Sequence, residues 1–209
     1  NVVVTVQGRK ITAIGPVTAR TPPASYDLGD VTLMPGMIDV HVHVDWHLQP
    51  NGLYGFRPGQ ERETPEQAAS AIQKNLDAML QAGFTTVQAL GSAGDKALRD
   101  EIAAGTRTGP RILSSLGQIT PRQAQPAGPD RSGQPQPARA GDSADALRTR
   151  VQQLKANGAD VIKIFASGSI RDGGKMSVTE EQLDALCGEA KAQGLRSVVH
   201  AHDPQSIVA

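Results

Sequence analysis

The sequence predicts an α/β fold with a parallel sheet, preceded by a small β unit. From residue 35 onward, short runs of apolar and β-branched residues alternate with segments that carry helix start and stop signals. This alternation is typical of right-handed βαβ units, whose strands lie parallel in one sheet. Before residue 35 the runs are short, separated by turn residues and poor in large hydrophobic residues. We therefore expect a small β-sandwich-like unit over residues 1–34 and an α/β unit over residues 35–209.

The N-terminal segment carries the signals of a hairpin. Residues 2–7 and 10–14 are strand-like, and Gly8-Arg9 between them predicts a turn. Pro22-Pro23 interrupts the pattern, and residues 31–34 predict one further short strand.

The α/β unit opens with Pro35-Gly36 and a nearly continuous apolar run, which is typical of a parallel strand buried on both faces. Thr64, Pro65 and Gln67 then predict a helix start with a capping box. The same signals recur along the chain. The predicted strands cover residues 37–44, 84–90, 111–115, 161–165 and 197–202, and we expect them to lie parallel and adjacent in that order. The predicted helices cover residues 64–81, 95–104, 142–157 and 179–193, with a long loop over residues 121–142.

Composition excludes several classes of function. The formal net charge is +0 and no basic block occurs, so neither a nucleic acid nor an anionic membrane is an expected partner. No apolar run is long enough to span a bilayer. We expect a soluble protein, cytoplasmic or else periplasmic or secreted after removal of a leader. Cys187 is the single cysteine, so the chain forms no internal disulfide.

The five histidines fall in two clusters, each on a strand-like run. His41, His43 and His47 lie in the first cluster, and His200 and His202 lie in the second. In a strand, residues i and i+2 project to the same face, so each H-x-H pair presents two imidazoles side by side. Imidazole is the commonest metal ligand in proteins. The two pairs together therefore predict a metal site, although a single histidine taken alone is better explained as a structural residue.

Lys163 lies in the middle of the apolar run over residues 161–165. A buried ammonium is costly, so this side chain is expected to be neutral, paired or chemically modified. It can extend to the strand end or pair with Asp39 or Asp160. Alternatively, its nitrogen can capture carbon dioxide, and the resulting anionic carbamate can bridge two metal ions.

At this point the sequence resembles a known family, the amidohydrolase superfamily in its binuclear form with a carbamylated lysine. Residues 34–43 are similar to the first barrel strand of that family, residues 158–168 to its modified-lysine strand and residues 198–202 to its fifth strand. Residues 83–87 and 109–113 match in the same order. The imidazolonepropionase-like and Xaa-Pro dipeptidase-like members are the most similar. The resemblance implies a (β/α)8 TIM-type barrel, of which residues 35–209 would supply about the first five strands.

The resemblance also implies roles for individual residues. His41 and His43 would bind the more buried of two divalent metal ions, most simply zinc, and a CO2-derived carbamate on Lys163 would bridge both ions. His200 would bind the second ion, and with Lys163 it would form the catalytic set. His202 has no assigned role and is expected near the metals or the substrate.

The implied activity is hydrolysis of amide-type C–N bonds in dipeptide-like or N-acyl amino acid-like small molecules by a metal-activated hydroxide. Lactone hydrolysis or ring deamination by the same site, and a non-catalytic truncated fragment, remain as alternatives. Trp46 and His47 follow the first strand, and Arg171 follows the Lys163 strand. These three residues are candidate substrate contacts, and an ordered loop or a surface turn explains them equally well.

The family also uses a histidine on the sixth strand and an aspartate on the eighth, and this sequence ends at Ala209 before either. A complete barrel needs about 250 residues, whereas only about 170 follow the start of the first strand. We therefore expect the N-terminal part of a longer protein. A homo-oligomer or a second chain that completes the barrel is the alternative.

Overall fold

The chain divides into two units, Asn1–Pro35 and Gly36–Ala209. The computed structural model describes residues 2–49, 52, 63–124, 127–129, 134–136 and 140–209. The first unit contains the predicted hairpin: β1 (Val2–Gln7) pairs antiparallel with β2 (Lys10–Pro16). Gly8 begins the two-residue turn with φ +61°, a conformation that glycine adopts without steric cost.

The predicted strand over residues 31–34 is wrong. These residues form no regular structure in the described part of the unit, and Leu33 and Met34 are 59% and 64% exposed. A four-residue run holds a strand conformation only when a neighbouring strand supplies hydrogen bonds, and β1 and β2 pair only with each other. The sandwich-like form of this unit stays a prediction.

The second unit has the predicted α/β alternation. Its strands are β3 (Met37–Val42), β4 (Phe84–Ala89), β5 (Arg111–Ser114), β6 (Gln118–Ile119), β7 (Gly128–Pro129), β8 (Pro135–Gln136), β9 (Val161–Phe165) and β10 (Arg196–His200). Its helices are α1 (Pro65–Gln81), α2 (Asp95–Ala104), α3 (Ala144–Ala156), α4 (Glu180–Ala192) and α5 (Pro204–Val208), with a 3-10 turn at Ile170–Asp172. The capping boxes predicted at Thr64 and Thr179 are both present. Residues 201–202, which were expected in the last strand, lie beyond its end.

The principal strands form two parallel sheets, ordered β3-β4-β5 and β6-β9-β10. The expected direct pairing of β5 with β9 is wrong, because β6 takes that place. The chain kinks at Leu116, a non-glycine residue with φ +54°, and this interrupts the third strand. The sheets still touch where the strands diverge: the Asp160 amide donates to the Ser114 carbonyl at 2.8 Å.

Each sheet packs against its own helices. Val44, Leu76, Val87, Ala89 and Ile112 form the core of the first sheet. A separate core lies beneath the second sheet and is built from Ile119, Leu147, Val151, Ile162, Ile164, Ala166, Val178, Leu183, Leu186 and Ala190. The cores cover the outer faces of the strands, so the residues of opposite parity face inward.

The predicted loop over residues 121–142 lies partly outside the described residues. Within it, β7 and β8 pair antiparallel over two residues each. Across the described residues, no helix combines the length and apolar character needed to cross a membrane.

Candidate active site

The first histidine pair lies at the C-terminal end of β3. Val42 and Val44 pack into the core of the first sheet, which places His41 and His43 on the inner face. Their ring centroids are 5.6 Å apart with an interplanar angle of 58°. Two imidazoles that share one zinc ion have centroids about 5 Å apart, given Zn–N bonds of about 2.0–2.1 Å and a tetrahedral angle. The pair therefore fits a single divalent ion.

Lys163 lies at the centre of β9 with only 2% of its surface exposed. Among the described residues its amino group makes no hydrogen bond or ion pair. Nζ lies over the Phe165 ring, 5.1 Å from the ring centroid. The carboxylates considered as partners are engaged elsewhere. Asp160 accepts from Arg99 Nη1 at 2.7 Å, and Asp39 accepts from the His41 amide at 3.0 Å. Burial lowers the pKa of Lys163, which favours the neutral amine.

His200 ends β10, directly beside β9, where it pairs in register with Phe165. Its ring lies 4.6 Å from the Phe165 ring and 4.3 Å from the His202 ring, the latter edge-on. The rings of the second H-x-H pair therefore contact each other edge-on, whereas the rings of the first pair lie farther apart.

Electrostatic interactions join the two sheets at this point. Burial lowers the pKa of His41, and the Lys163 charge lowers it further. Burial lowers the pKa of His43. The charges of His41 and Lys163 lower it further, whereas the charge of Asp45 raises it. Burial likewise lowers the pKa of His200, with contributions from His202, Lys163 and His41. The structure thus brings His41, His43, His200 and Lys163 within electrostatic reach of one another. Neutral imidazoles at neutral pH have the lone pairs that metal binding requires.

Within the described ranges, no three His, Cys, Asp or Glu side chains are grouped so that they could hold a metal ion. A site for two ions here therefore depends on an oxygen ligand from Lys163. The amine of Lys163 is buried and has no partner among the described residues, so it is the position where a carbamate would form. The roles of His41, His43, Lys163 and His200 as metal ligands stay predictions.

The candidate substrate residues lie in different surroundings. Trp46 stacks on His43, with centroids 3.8 Å apart and planes 9° apart. His47 turns away from the pair: its Nε2 lies 2.7 Å from Glu63 Oε2, and this hydrogen bond raises its pKa. Arg171 is exposed in the 3-10 turn. His202 is held by its backbone amide, which donates to Ser167 Oγ at 3.0 Å.

Three side chains that support the site were not predicted. Asn75 of α1 donates to the carbonyls of Val44 and Trp46 at 3.0 and 2.9 Å. Gln88 donates to the Val40 carbonyl at 2.9 Å, and Gln118 donates to the Leu90 carbonyl at 3.1 Å. Amide side chains carry no distinctive sequence signal. Only the position of Gln88 within an apolar strand could have marked it.

The amidohydrolase family model matches residues 32–209. Among solved structures, the chain is similar to a prolidase complexed with N-methylphosphonate-L-proline, with 28% identity and a TM-score of 0.72 over 98% of this chain and 52% of that one. It is also similar to a Xaa-Pro dipeptidase with methionine bound in the active site, with 25% identity and a TM-score of 0.75 over 98% and 53%.

An ochratoxinase of A. niger, 23% identical with a TM-score of 0.60 over 84% of this chain and 44% of that one, shares the fold. No curated protein matches the sequence. The chain spans about half the length of the first two of these structures. Because the family model covers most of the sequence, the chain belongs to the amidohydrolase family and has its TIM-barrel type of fold.

Proposed function

We propose that the native protein is a metal-dependent hydrolase of amide bonds, with Xaa-Pro dipeptides or N-acyl amino acids as substrates. The observation that carries this proposal is the position of Lys163. Its amine is buried, has no hydrogen-bond or ion-pair partner among the described residues, and lies within electrostatic reach of His41, His43 and His200. A lysine in such a place is expensive for stability alone, so a functional modification is the better explanation.

In this proposal His41 and His43 would hold one divalent ion, His200 would hold a second, and a carbamate on Lys163 would supply oxygen ligands for both. When bound, zinc ions supply a Lewis acid for the substrate carbonyl and lower the pKa of a bound water. The protein's own part is to lower the pKa values of the three imidazoles, which keeps them neutral at neutral pH, and to place them on strands of the two sheets. The Phe165 ring lies close to the Lys163 nitrogen, with 5.1 Å between Nζ and the ring centroid.

The substrate class is supported by the structures to which the chain is similar. One holds N-methylphosphonate-L-proline, and another is a Xaa-Pro dipeptidase with methionine bound. Both ligands carry a carboxylate next to a substituted nitrogen or an amino group. The exposed guanidinium of Arg171, in the turn after β9, is our candidate for binding that carboxylate.

The test combines metal analysis with a substrate panel on the native protein. We expect two zinc ions per chain, loss of activity after chelation, recovery with zinc, and turnover of Xaa-Pro dipeptides or N-acyl amino acids. Simple lactones and amino-purines serve as the comparison substrates for the alternative reactions. Activity that survives complete metal removal would contradict metal dependence, and exclusive turnover of lactones would contradict the substrate class.

A further inference from the structure

The imidazole of His43 is enclosed on one face and along one edge. The Trp46 indole covers its face in a nearly parallel stack at 3.8 Å. The loop after β4 approaches the edge that carries Nδ1 and Cε1. A Cβ atom built on Gly91 would lie 3.0 Å from His43 Nδ1, 3.1 Å from Cε1 and 2.5 Å from Gln118 Nε2. No residue with a side chain fits at position 91 without displacing one of these groups.

Both enclosing elements are themselves anchored. Asn75 binds the carbonyls on either side of Asp45, at Val44 and Trp46, which fixes the turn that carries the indole. Gln118 from β6 binds the Leu90 carbonyl, which holds the glycine loop close. Through Asn75 and Gln118, α1 and β6 therefore anchor the two elements that enclose a single imidazole. The other imidazole of the pair, His41, is exposed.

We propose that Trp46 and Gly91 are positioning residues that fix the ring of His43 for metal binding. This inference rests on the proposed function, because it assigns the two residues to the metal site. It gives Trp46 a role distinct from the substrate contact expected from its sequence position. A ligand whose ring is already oriented loses less conformational entropy when the metal binds, so the enclosure raises metal affinity.

The chain carries its own reporter for this arrangement. Trp46 is the single tryptophan, so the indole emission of the 209-residue chain reports on the side chain that stacks on His43. Zn²⁺ binding to His43 is expected to change that emission, and titration with Zn²⁺ gives the affinity from the same signal. This readout is independent of catalytic activity.

The principal variant is Gly91→Ala, and its matched control is Gly188→Ala. A Cβ on Gly188, within α4, meets nothing within 4 Å. We expect Gly91→Ala to shift the emission of the metal-free chain and to weaken Zn²⁺ binding at least tenfold, the scale for loss of a group that orients a ligand. Gly188→Ala should match the parent in both measurements. Circular dichroism checks that each variant is folded.

A double variant separates the two clashes. The atom of Gln118 that a Cβ at position 91 would meet is Nε2, the far end of a flexible side chain. Gly91→Ala/Gln118→Ala therefore removes the contact with Gln118 and leaves the contact with His43. If His43 is the group that matters, the double variant keeps the affinity loss. Recovery of parental affinity would overturn the proposal, because the defect would then lie in the Gln118 contact.

Trp46 supplies a second route that does not depend on position 91. Its side chain is 52% exposed, so its replacement should not prevent folding. Calorimetric titration with Zn²⁺ should show that Trp46→Phe keeps the affinity within about threefold, since a flat ring remains, while Trp46→Ala loses about tenfold. Parental affinity in both Trp46→Ala and Gly91→Ala would overturn the proposal. A native protein that binds no Zn²⁺ would instead overturn the proposed function.

Discussion

Strands β3 and β9, which carry candidate site residues, lie in different environments. Among the described residues β3 pairs only with β4, and Ile38 and Val40 are 64% and 66% exposed. β9 lies between β6 and β10, and four of its five residues are buried. His41 on β3 is therefore exposed, whereas Lys163 on β9 is buried. The comparison teaches that a charged side chain is penalised far more on β9 than on β3.

The largest expected effect comes from Lys163 itself. In the native protein, Lys163→Ala should lower activity about 10³-fold, or about 4 kcal/mol in activation free energy. Acetate or formate should restore part of it, because a short carboxylate can occupy the place of the carbamate. Lys163→Arg should not be rescued, since a guanidinium keeps its charge. The measurement is kcat/KM with and without the added carboxylate.

Lys155→Ala is the control, because Lys155 is exposed on α3. It should leave activity unchanged. A purely structural Lys163 gives the opposite pattern, with an active Arg variant and no effect of carboxylate. A carbamate resonance in ¹³C NMR after labelling with bicarbonate should appear in the parent protein and not in Lys163→Ala.

The next largest expected effect is on stability, because β9 is buried more deeply than β3. Ile164 of β9 is fully buried in the core of the second sheet. Ile164→Ala should lower the free energy of unfolding of the 209-residue chain by about 2–5 kcal/mol. Ile38→Ala on β3 should cost less than about 0.5 kcal/mol. Denaturant unfolding measures both, and equal costs would show that the two strands are packed alike.

A buried carboxyl group at the start of α2 predicts an effect of pH. Asp95 is 1% exposed, its Oδ1 has no hydrogen-bond partner among the described residues, and burial raises its pKa from 3.8 to about 6. The folded state then binds the proton more tightly than the unfolded state, so stability falls as pH rises from about 4 to about 6. Asp95→Asn should raise the free energy of unfolding at pH 7.5 by about 1–2 kcal/mol, within the limit set by a shift of about two units.

The same variant should flatten the dependence of stability on pH between about pH 4 and pH 6. Asp100→Asn is the comparison, since Asp100 is 51% exposed on the same helix. Thermal unfolding across that range distinguishes the variants. A net loss of stability in Asp95→Asn at pH 7.5 would mean that the hydrogen bonds from Ser92 and Ser114 outweigh the cost of burial.

The smallest effect concerns His47 and Glu63. Their hydrogen bond raises the pKa of His47, so the pair stabilises the folded state below about pH 6.5 and loses that contribution as pH rises through the folded-state value. Glu63→Gln should cost less than about 1 kcal/mol at pH 6 and nothing at pH 9. The pKa of His47, followed by NMR, should fall in the variant. An unchanged pKa would show that the contact does not persist in solution.

Much of the second unit could be predicted because its signals are local. The capping residues Thr64 and Thr179 begin their helices where the pattern placed them, and the apolar runs form strands close to the expected bounds. The strand over residues 31–34 failed because strand formation depends on a partner that local propensity cannot supply. The break between β5 and β6 was not predicted, for a related reason. The positive φ of Leu116 is imposed by its surroundings, and a leucine in the sequence does not indicate a positive φ.

By itself, the sequence determined the α/β alternation, the histidine pair on the inner face of β3 and the placement of Lys163 in a buried strand, since each follows from period-two patterning. Tertiary structure decided which groups surround those residues. It left Lys163 without the aspartate partners that the sequence allowed, turned His47 towards Glu63 and stacked Trp46 on His43. The physical reason is that periodicity selects the face of a strand, while burial and contact depend on elements far apart in the chain.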